Sequence, residues 1–453
     1  MQQLITGPAQ EHSQQANFEE RDPDLLARIT ERSARIGVVG LGYVGLPLAI
    51  EWARAGFRVT GIDIDALRVD MCLKSKSWIA DVPSEDLGAL VREGFLTATT
   101  DASVFRELDI ITICVPTPLN EAKQPDMRAI LSVVDAIAGS LHAGQLIILE
   151  STTYPGTTDE FILPRLQQSG LKVGKEYFLG YSPERIDPGN TRYGLRNTPK
   201  VIAGTTSSCA QLMKALYETV VDRVIPVSST RAAELVKLFE NTFRAVNIGL
   251  VNELAMMANL LNVDVWEVIS AAGTKPYGFT TFYPGPGIGG HCIPIDPHYL
   301  AWKLHTLNYT SRLIEAACEI NEQMPRYVVE RISRVFWDAG KCLDASRVLV
   351  LGVAYKRDVA DLRESPAKEI IELFCEKKAV VDYVDPYIPV ITLKTGMLAA
   401  VALDEDRVRR ADCVLILTDH SVFDYASIAR TASLVIDTRN ATVGLAEPHI
   451  VRL

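Results

Sequence analysis

The chain reads as an α/β protein made of two doubly wound lobes joined by a long central helix and a helical connector. Three observations lead there. Strand-like apolar runs alternate with helical stretches from Arg35 onward, the alternation stops near Ser228 for a proline-free helical stretch, and it resumes at Arg347. Strands separated by helices imply parallel pairing with right-handed crossovers.

Residues 1–22 are polar and aperiodic, which predicts a mobile tail. A short amphipathic segment follows around Pro23–Arg32, with Leu25, Leu26 and Ile29 on one side. The first lobe spans 23–226, with strands expected at Ile36–Val39, Arg58–Ile62, Ile110–Val115, Leu146–Glu150, Tyr177–Tyr181 and Lys200–Ala203. A central unit, 227–332, opens with a helix over Ser228–Leu261 whose only glycine is Gly249. The stretch YPGPGIGGHC (283–292) then forces an irregular loop. In the last unit, 333–453, strands are expected at Arg347–Leu351, Ala379–Val384, Cys413–Leu417 and Leu434–Ile436.

At 453 residues the chain exceeds one ordinary core, so two or three domains are expected. Its composition, 48% hydrophobic and 23% charged, is that of a soluble globular protein. A net charge of -10 argues against nucleic acid held by counterion release and against a polybasic membrane surface. An anionic substrate needs only a few local cations. The first residues lack a basic and apolar targeting pattern, and no apolar run is long enough to span a bilayer, so a cytoplasmic location is expected. None of the eight cysteines forms a CxxC pair, and no metal site is expected. Cys114 and Cys413 sit in strand-like runs as small buried hydrophobes. Cys292 does not.

The segment GLGYVG (40–45) follows a strand and opens a helix. Gly40 permits the tight turn, Gly42 lets backbone approach a pyrophosphate, and Gly45 allows close helix–strand packing, with Tyr43 and Val44 between. Asp63 lies 23 positions after Gly40, where an acid accepts hydrogen bonds from ribose hydroxyls and repels a 2′-phosphate. The first lobe is therefore Rossmann-like and the cofactor is NAD rather than NADP, a preference that nearby Arg68 would soften.

Cys292 ends a loop with four glycines between Gly285 and Gly290, which let backbone wrap a ligand and aim N–H groups at an oxyanion. On the central helix Glu234, Lys237, Asn241 and Arg244 are spaced 3, 4 and 3 apart, within one narrow arc. Leu235, Leu238 and Phe239 point toward packing instead. Charges on a helix usually form a solvated face. A neutral Asn241 between two cations, in a chain that also carries a glycine-loop cysteine, favours a site.

Over Arg35 to Asn440 the chain resembles the UDP-glucose/GDP-mannose dehydrogenase family. The matching stretches are GLGYVGLPLA (40–49), VPTP (115–118), ESTTYPGTT (150–158), YSPERIDPGN (181–190), ELVKLFENTFRAVNIGLVNE (234–253), PGPGIGGHCIPIDPHYLAWK (284–303) and GVAYKRDVADLRESPA (352–367). PERIDPGN and GGHCIPIDPHYLAWK look like the branch acting on UDP-N-acetylhexosamines, UDP-N-acetylglucosamine above all. The resemblance implies a four-electron oxidation of a sugar CH2OH, with Cys292 as the nucleophile that carries a thioester. It implies that Lys237 and Asn241 stabilise the oxyanion, that Asp296 and Thr152 manage protons around a water, and that Glu184 is a general base. Pro116, Thr117, Thr152, Lys356 and Arg363 become cofactor contacts. Glu184, Arg185, Lys237, Asn241, Arg244, Tyr283, Gly287, Gly289, Tyr355 and Lys356 become substrate contacts, with Lys356 and Arg363 matched to the charge of a diphosphate. The last lobe would bind the nucleotide of the UDP-sugar, and the central helix would form a homodimer seam. Pro188 departs from the pattern, because the UDP-glucose branch has a second glutamate there. The base for alcohol oxidation is thus left unassigned.

Two other classes compete. A two-electron hydroxy-acid dehydrogenase would share the first lobe but leave the cysteine loop and the last lobe unexplained. A nucleotide-sugar-binding protein without activity would not need Cys292, Lys237, Asn241 and Asp296 together. Within the leading class, UDP-N-acetylmannosamine, UDP-N-acetylgalactosamine and UDP-glucose are the alternative substrates.

Overall fold

Ile110–Ile113 and Leu146–Leu149 are buried along their whole length, as strands covered by helices on both faces must be. The computed structural model describes residues 23–79, 81–187, 189–190 and 192–453. The tail expected over 1–22 and the departure at Pro188 lie outside the described residues.

The first lobe is built on strands β1 (Arg35–Val39), β2 (Arg58–Ile62), β3 (Leu96–Thr99), β4 (Ile110–Ile113), β5 (Leu146–Leu149), β6 (Phe178–Tyr181), β7 (Lys200–Gly204) and β8 (Val224–Pro226). Their order is β3-β2-β1-β4-β5-β6-β7-β8. The order reverses between β1 and β4, so the crevice beyond their C-terminal ends is the natural ligand site. Pairing is parallel as far as β6. There the expectation of a wholly parallel sheet fails, because Gly180 and Tyr181 of β6 pair antiparallel with β7. The described residues of 182–199 contain no helix to carry the chain across the sheet, so it turns back. Strand β3 escaped the sequence reading because its polarity is mixed, and β8 because it has only three residues.

In the last lobe β9 (Arg347–Leu351), β10 (Val380–Val384), β13 (Cys413–Ile416), β14 (Val435–Asp437) and β15 (Ile450–Arg452) form a parallel sheet in the order β10-β9-β13-β14-β15. A hairpin, β11 (Val390–Leu393) and β12 (Gly396–Ala399), stands apart. No described helix is long and apolar enough to cross a membrane.

The central helix runs Thr230–Leu260, capped by Ser229, whose hydroxyl accepts the Ala232 N–H. Gly249 marks its crossing with the helix Arg312–Asp338, where an added Cβ would lie 3.1 Å from Ala317 Cα. Only Leu238 of the three apolar residues assigned to packing is buried. Leu235 and Phe239 are exposed and continue through Phe243 and Leu250 as a stripe on the outer face. The polar arc is the inner one: Glu234 and Lys237 are buried.

A buried amide relay fixes the glycine loop to both helices. Asn252 Nδ2 donates to Asn321 Oδ1 (2.9 Å), Asn321 Nδ2 donates to the Ala245 carbonyl (3.0 Å), and Gly285 N–H donates to Asn252 Oδ1 (3.0 Å). Asn252→Ala leaves Asn321 and Gly285 without these partners. Chemical denaturation should report a loss of about 1–3 kcal/mol, and an unchanged midpoint would show that the relay is not needed.

Candidate active site

The turn after β1 shows which of its glycines faces a ligand. A Cβ on Gly40 (φ +93) would lie 2.6 Å from the Cys114 carbonyl oxygen, and one on Gly45 1.9 Å from the Gly40 oxygen. A Cβ on Gly42 would meet nothing within 4 Å. Two glycines are closed by protein and the middle one borders open space, which fits a pyrophosphate laid against the turn. The helix Gly45–Arg54 begins there with no side-chain cap, so its first N–H groups are suited to phosphate. Asp63 is buried and accepts the N–H groups of Leu41 (2.8 Å) and Asp65 (2.9 Å). Arg68 is held by Asp63 (3.3 Å) and Asp65 (3.5 Å), which answers the concern that it stood ready for a 2′-phosphate.

Two further loops border the crevice. The Ser151 hydroxyl donates to the Val115 carbonyl (2.8 Å), joining the loop of buried Thr152 to that of exposed Pro116 and buried Thr117. The Tyr299 hydroxyl donates to the Thr117 carbonyl (2.9 Å). Tyr299 lies in the helix Asp296–His305, so the crevice wall and the acid that opens this helix move as one body.

Cys292 and Asp296 are brought together locally. The Asp296 N–H donates to the Cys292 carbonyl (2.8 Å), closing a helical turn that sets residues four apart on one face. Asn241 Nδ2 reaches from the central helix to Asp296 Oδ2 (2.7 Å). Lys237, one turn earlier, is buried; burial opposes its charge, yet Cys292, Asp296 and Glu184 hold its ammonium above the usual lysine range. Burial pushes the Cys292 thiol up, and the opposing pull of Lys237 does not overcome it. Raised above the ordinary cysteine range, the residue is a thiol near neutrality. Burial likewise raises Asp296 to about 6, against Lys237 and the Asn241 bond. His291 is brought down to about 4 by burial, Arg363 and Lys237, and is neutral. Exposed Arg244, further along the helix, adds positive potential at Cys292.

Glu184 is held on both carboxylate oxygens. It is buried, Lys200 Nζ donates to one oxygen (2.9 Å), and the N–H groups of Arg185 (2.6 Å) and Ile186 (2.7 Å) donate to the other. Burial alone would raise this carboxyl, but Lys200 and the two N–H groups outweigh it and hold it below the ordinary range. Such a group is a fixed anion and a poor base near neutrality. Arg185 forks onto Glu240 (2.6 and 3.2 Å) and donates to the Pro199 carbonyl (2.7 Å), so it braces the loop. Asp187 pairs with Lys356 across the lobes (3.0 Å).

The glycines before Cys292 are packed by the last lobe, not left open for a ligand. A Cβ on Gly289 would lie 2.5 Å from Tyr355 Cβ, one on Gly290 2.9 Å from the Tyr355 ring, and one on Gly287 2.9 Å from Pro366 Cβ. Gly290 N–H donates to the Arg363 carbonyl (2.9 Å). The Arg363 guanidinium, paired with Asp361, lies 4.5 Å from the centroid of the Tyr43 ring, reaching the cofactor turn. Tyr283 stacks on Trp266 and is exposed. Sequence reasoning missed Arg439. It follows β14, donates to the Leu417 carbonyl (2.8 Å), and its Nη1 would lie 2.7 Å from a Cβ on Gly285. Its position just past a strand end, at the crevice of the second sheet, was the available signal.

A dinucleotide crevice and a second doubly wound lobe, meeting over a half-buried cysteine with a buried lysine and acid, define a dehydrogenase with two nucleotide sites. The chain belongs to the UDP-glucose/GDP-mannose dehydrogenase family, whose NAD binding domain matches residues 34–221, central domain 231–323 and UDP binding domain 349–443. It is 33% identical over 392 residues to UDP-N-acetyl-D-glucosamine 6-dehydrogenase of Salmonella typhi, covering 86% of this chain and 90% of the relative. It is 36% identical over 394 residues to UDP-N-acetyl-D-mannosamine dehydrogenase of Methanococcus aeolicus, covering 86% and 85%. The solved UDP-D-ManNAc dehydrogenase of Pyrococcus horikoshii superposes with a TM-score of 0.82 at 32% identity, over 92% of this chain and 98% of that one. The protein is an NAD-dependent nucleotide-sugar dehydrogenase.

Two measurements test this geometry. Gly42→Ala should leave the melting temperature unchanged and weaken NAD binding about tenfold, about 1.4 kcal/mol; equal affinity would place the cofactor elsewhere. Lys237→Met removes the cation that pulls the thiol down, so the midpoint for alkylation of Cys292 should move to higher pH. A midpoint that stays or falls would mean that Lys237 does not act on the thiol.

Proposed function

We propose that the protein oxidises the C6 alcohol of a UDP-N-acetylhexosamine, with UDP-N-acetylglucosamine as first choice, to the uronic acid through a thioester on Cys292. The convergence of Cys292, Lys237, Asn241 and Asp296 carries this reading. NAD, when bound, supplies the hydride acceptor in both oxidations.

Asp296, raised to about 6, is suited to take the C6 hydroxyl proton near neutrality, which fills the role left open at Pro188. Asp296 passes that proton to water and then takes the thiol proton of Cys292 as the sulfur adds to the aldehyde carbon, releasing it in turn before the next step. Lys237 and Asn241 face the oxyanion of the resulting thiohemiacetal. Loss of a second hydride leaves the thioester, and water attacks it with Asp296 again as proton acceptor. Thr152 helps hold that water. Glu184 serves as a permanent anion that orders the site.

The PERIDPGN and GGHCIPIDPHYLAWK motifs support an N-acetylated sugar, and the relatives named above act on sugars that differ in configuration at C2. Lys356, Tyr355, Arg244, Tyr283 and Arg439 are proposed to form the UDP-sugar wall, with Arg363 shared with the cofactor. The units 23–226, 227–332 and 333–453 divide the work into NAD, helical and UDP-sugar parts. The stripe Leu235, Phe239, Phe243 and Leu250 is proposed as a homodimer seam. A cytoplasmic place in polysaccharide precursor synthesis fits this chemistry.

Wild type should release two NADH per UDP-N-acetylglucosamine consumed, and Cys292→Ser should form no acid at steady state. Full acid production by the serine variant would exclude the thioester. Turnover confined to UDP-glucose in a panel of UDP-sugars would exclude the N-acetylated class. The kcat profile should fall below about pH 6 as Asp296 becomes protonated. Asp296→Asn should lower kcat by about 10²–10⁴-fold and abolish that limb; a retained limb would assign the base elsewhere.

A further inference from the structure

Behind Glu184 lies a buried ionic cluster that the steps above do not use. Lys200, at the start of β7, is 4% exposed, and its ammonium donates to Glu150 Oε2 and Glu184 Oε2, both at 2.9 Å. The Tyr217 hydroxyl donates to the other oxygen of Glu150. Lys200 also sits 5.4 Å from the centroid of the Tyr217 ring. The cluster thus ties the ends of β5 and β6 to β7, and one of its members is the carboxylate next to the reacting centre.

A purely architectural role fits poorly with this design. Buried ion pairs lose much of their attraction to desolvation, and apolar packing would join three strands as well. Here the ammonium instead completes the restraint of one carboxylate. With Lys200 on one oxygen of Glu184 and two N–H groups on the other, the group can neither rotate nor turn to solvent. The charges of Glu184 and Lys200 both act on Lys237, the cation beside Cys292.

Resting on the function proposed above, we propose that Lys200 is a positioning residue for the reaction. It clamps Glu184 from behind as a fixed anion against Lys237 and so leaves Asp296 as the acid that exchanges protons during turnover. The ionisable groups around Glu184 are Cys114 after β4, Glu150 after β5, Tyr181 of β6, Lys200 of β7, Tyr217 and Lys237. Of these only Lys200 and Lys237 are cations, and Lys200 is the one that touches Glu184. Without it, the buried carboxyl rises and competes for the proton.

The test measures kcat and KM for the UDP-sugar across pH in wild type, Lys200→Met, Lys200→Arg and the double variant Lys200→Met/Glu150→Gln. The double variant removes the ammonium together with the acid it would strand, which guards against failure to fold. Both methionine variants should lose about 10²-fold in kcat, as a misplaced group near the reacting atoms does, with KM near wild type. Their acid limb should gain a second proton and move up by about one to three pH units. Lys200→Arg should restore the wild-type limb. A double variant that melts lower but keeps wild-type kcat and acid limb would overturn the inference and leave the cluster architectural. Absence of NADH from wild type with every UDP-sugar would overturn the proposed function, and this inference with it. Turnover by wild type beside an unchanged limb in the variants overturns the inference alone.

Discussion

The loop 283–292 has few side chains with which to anchor itself, so its course is imposed by what leans on it. Asn252 holds Gly285 from the central helix, Tyr355 fills the space beside Gly289 and Gly290, and the Arg363 carbonyl takes the Gly290 N–H. These supports come from the central and last parts of the chain, and the Cys292–Asp296 turn begins where they end. Cys292 is therefore located by main-chain contacts, and the glycines serve close packing between lobes more than access for a ligand.

The two lobes solve one geometric problem in the same way. Gly40 N–H bonds the end of β2 while Asp63 takes the Leu41 N–H, and Gly352 N–H bonds the end of β10 while Asp385 takes those of Val353 and Ala354. In the last lobe His420 lies against Asp385 (3.1 Å), and the N–H groups of Tyr387 and Ile388 occupy its other oxygen. That acid is fully engaged within the protein. Asp385 therefore differs from Asp63 in having both oxygens taken by several protein donors, while Arg439 lies at the mouth of the second crevice. An acidic protein thus keeps buried Lys237 beside Cys292 and half-buried Arg439 beside Gly285.

Much of this was legible in the sequence because it rests on period and on short local motifs. The strands Arg58–Ile62 and Arg347–Leu351 and the long helix follow from apolar patterning, and the Gly40 turn from spacing. What escaped is set by contacts distant in the chain. The antiparallel return at β7 depends on a helix that is lacking among the described residues. The outward face of Leu235 and Phe239 depends on where the lobes settle. The ionic state of Glu184 depends on Lys200, sixteen residues later on a neighbouring strand, and a glycine-rich loop looks the same whether a ligand or a tyrosine fills it.

The raised pKa of the half-buried Cys292 thiol has a consequence for the durability of the enzyme. Peroxide and electrophiles attack thiolate far faster than thiol, and oxidation beyond the sulfenic acid is largely irreversible. In the proposed mechanism, a thiol raised above the ordinary cysteine range meets that chemistry chiefly during turnover. The desolvation that makes Cys292 sluggish at rest also preserves it between turnovers.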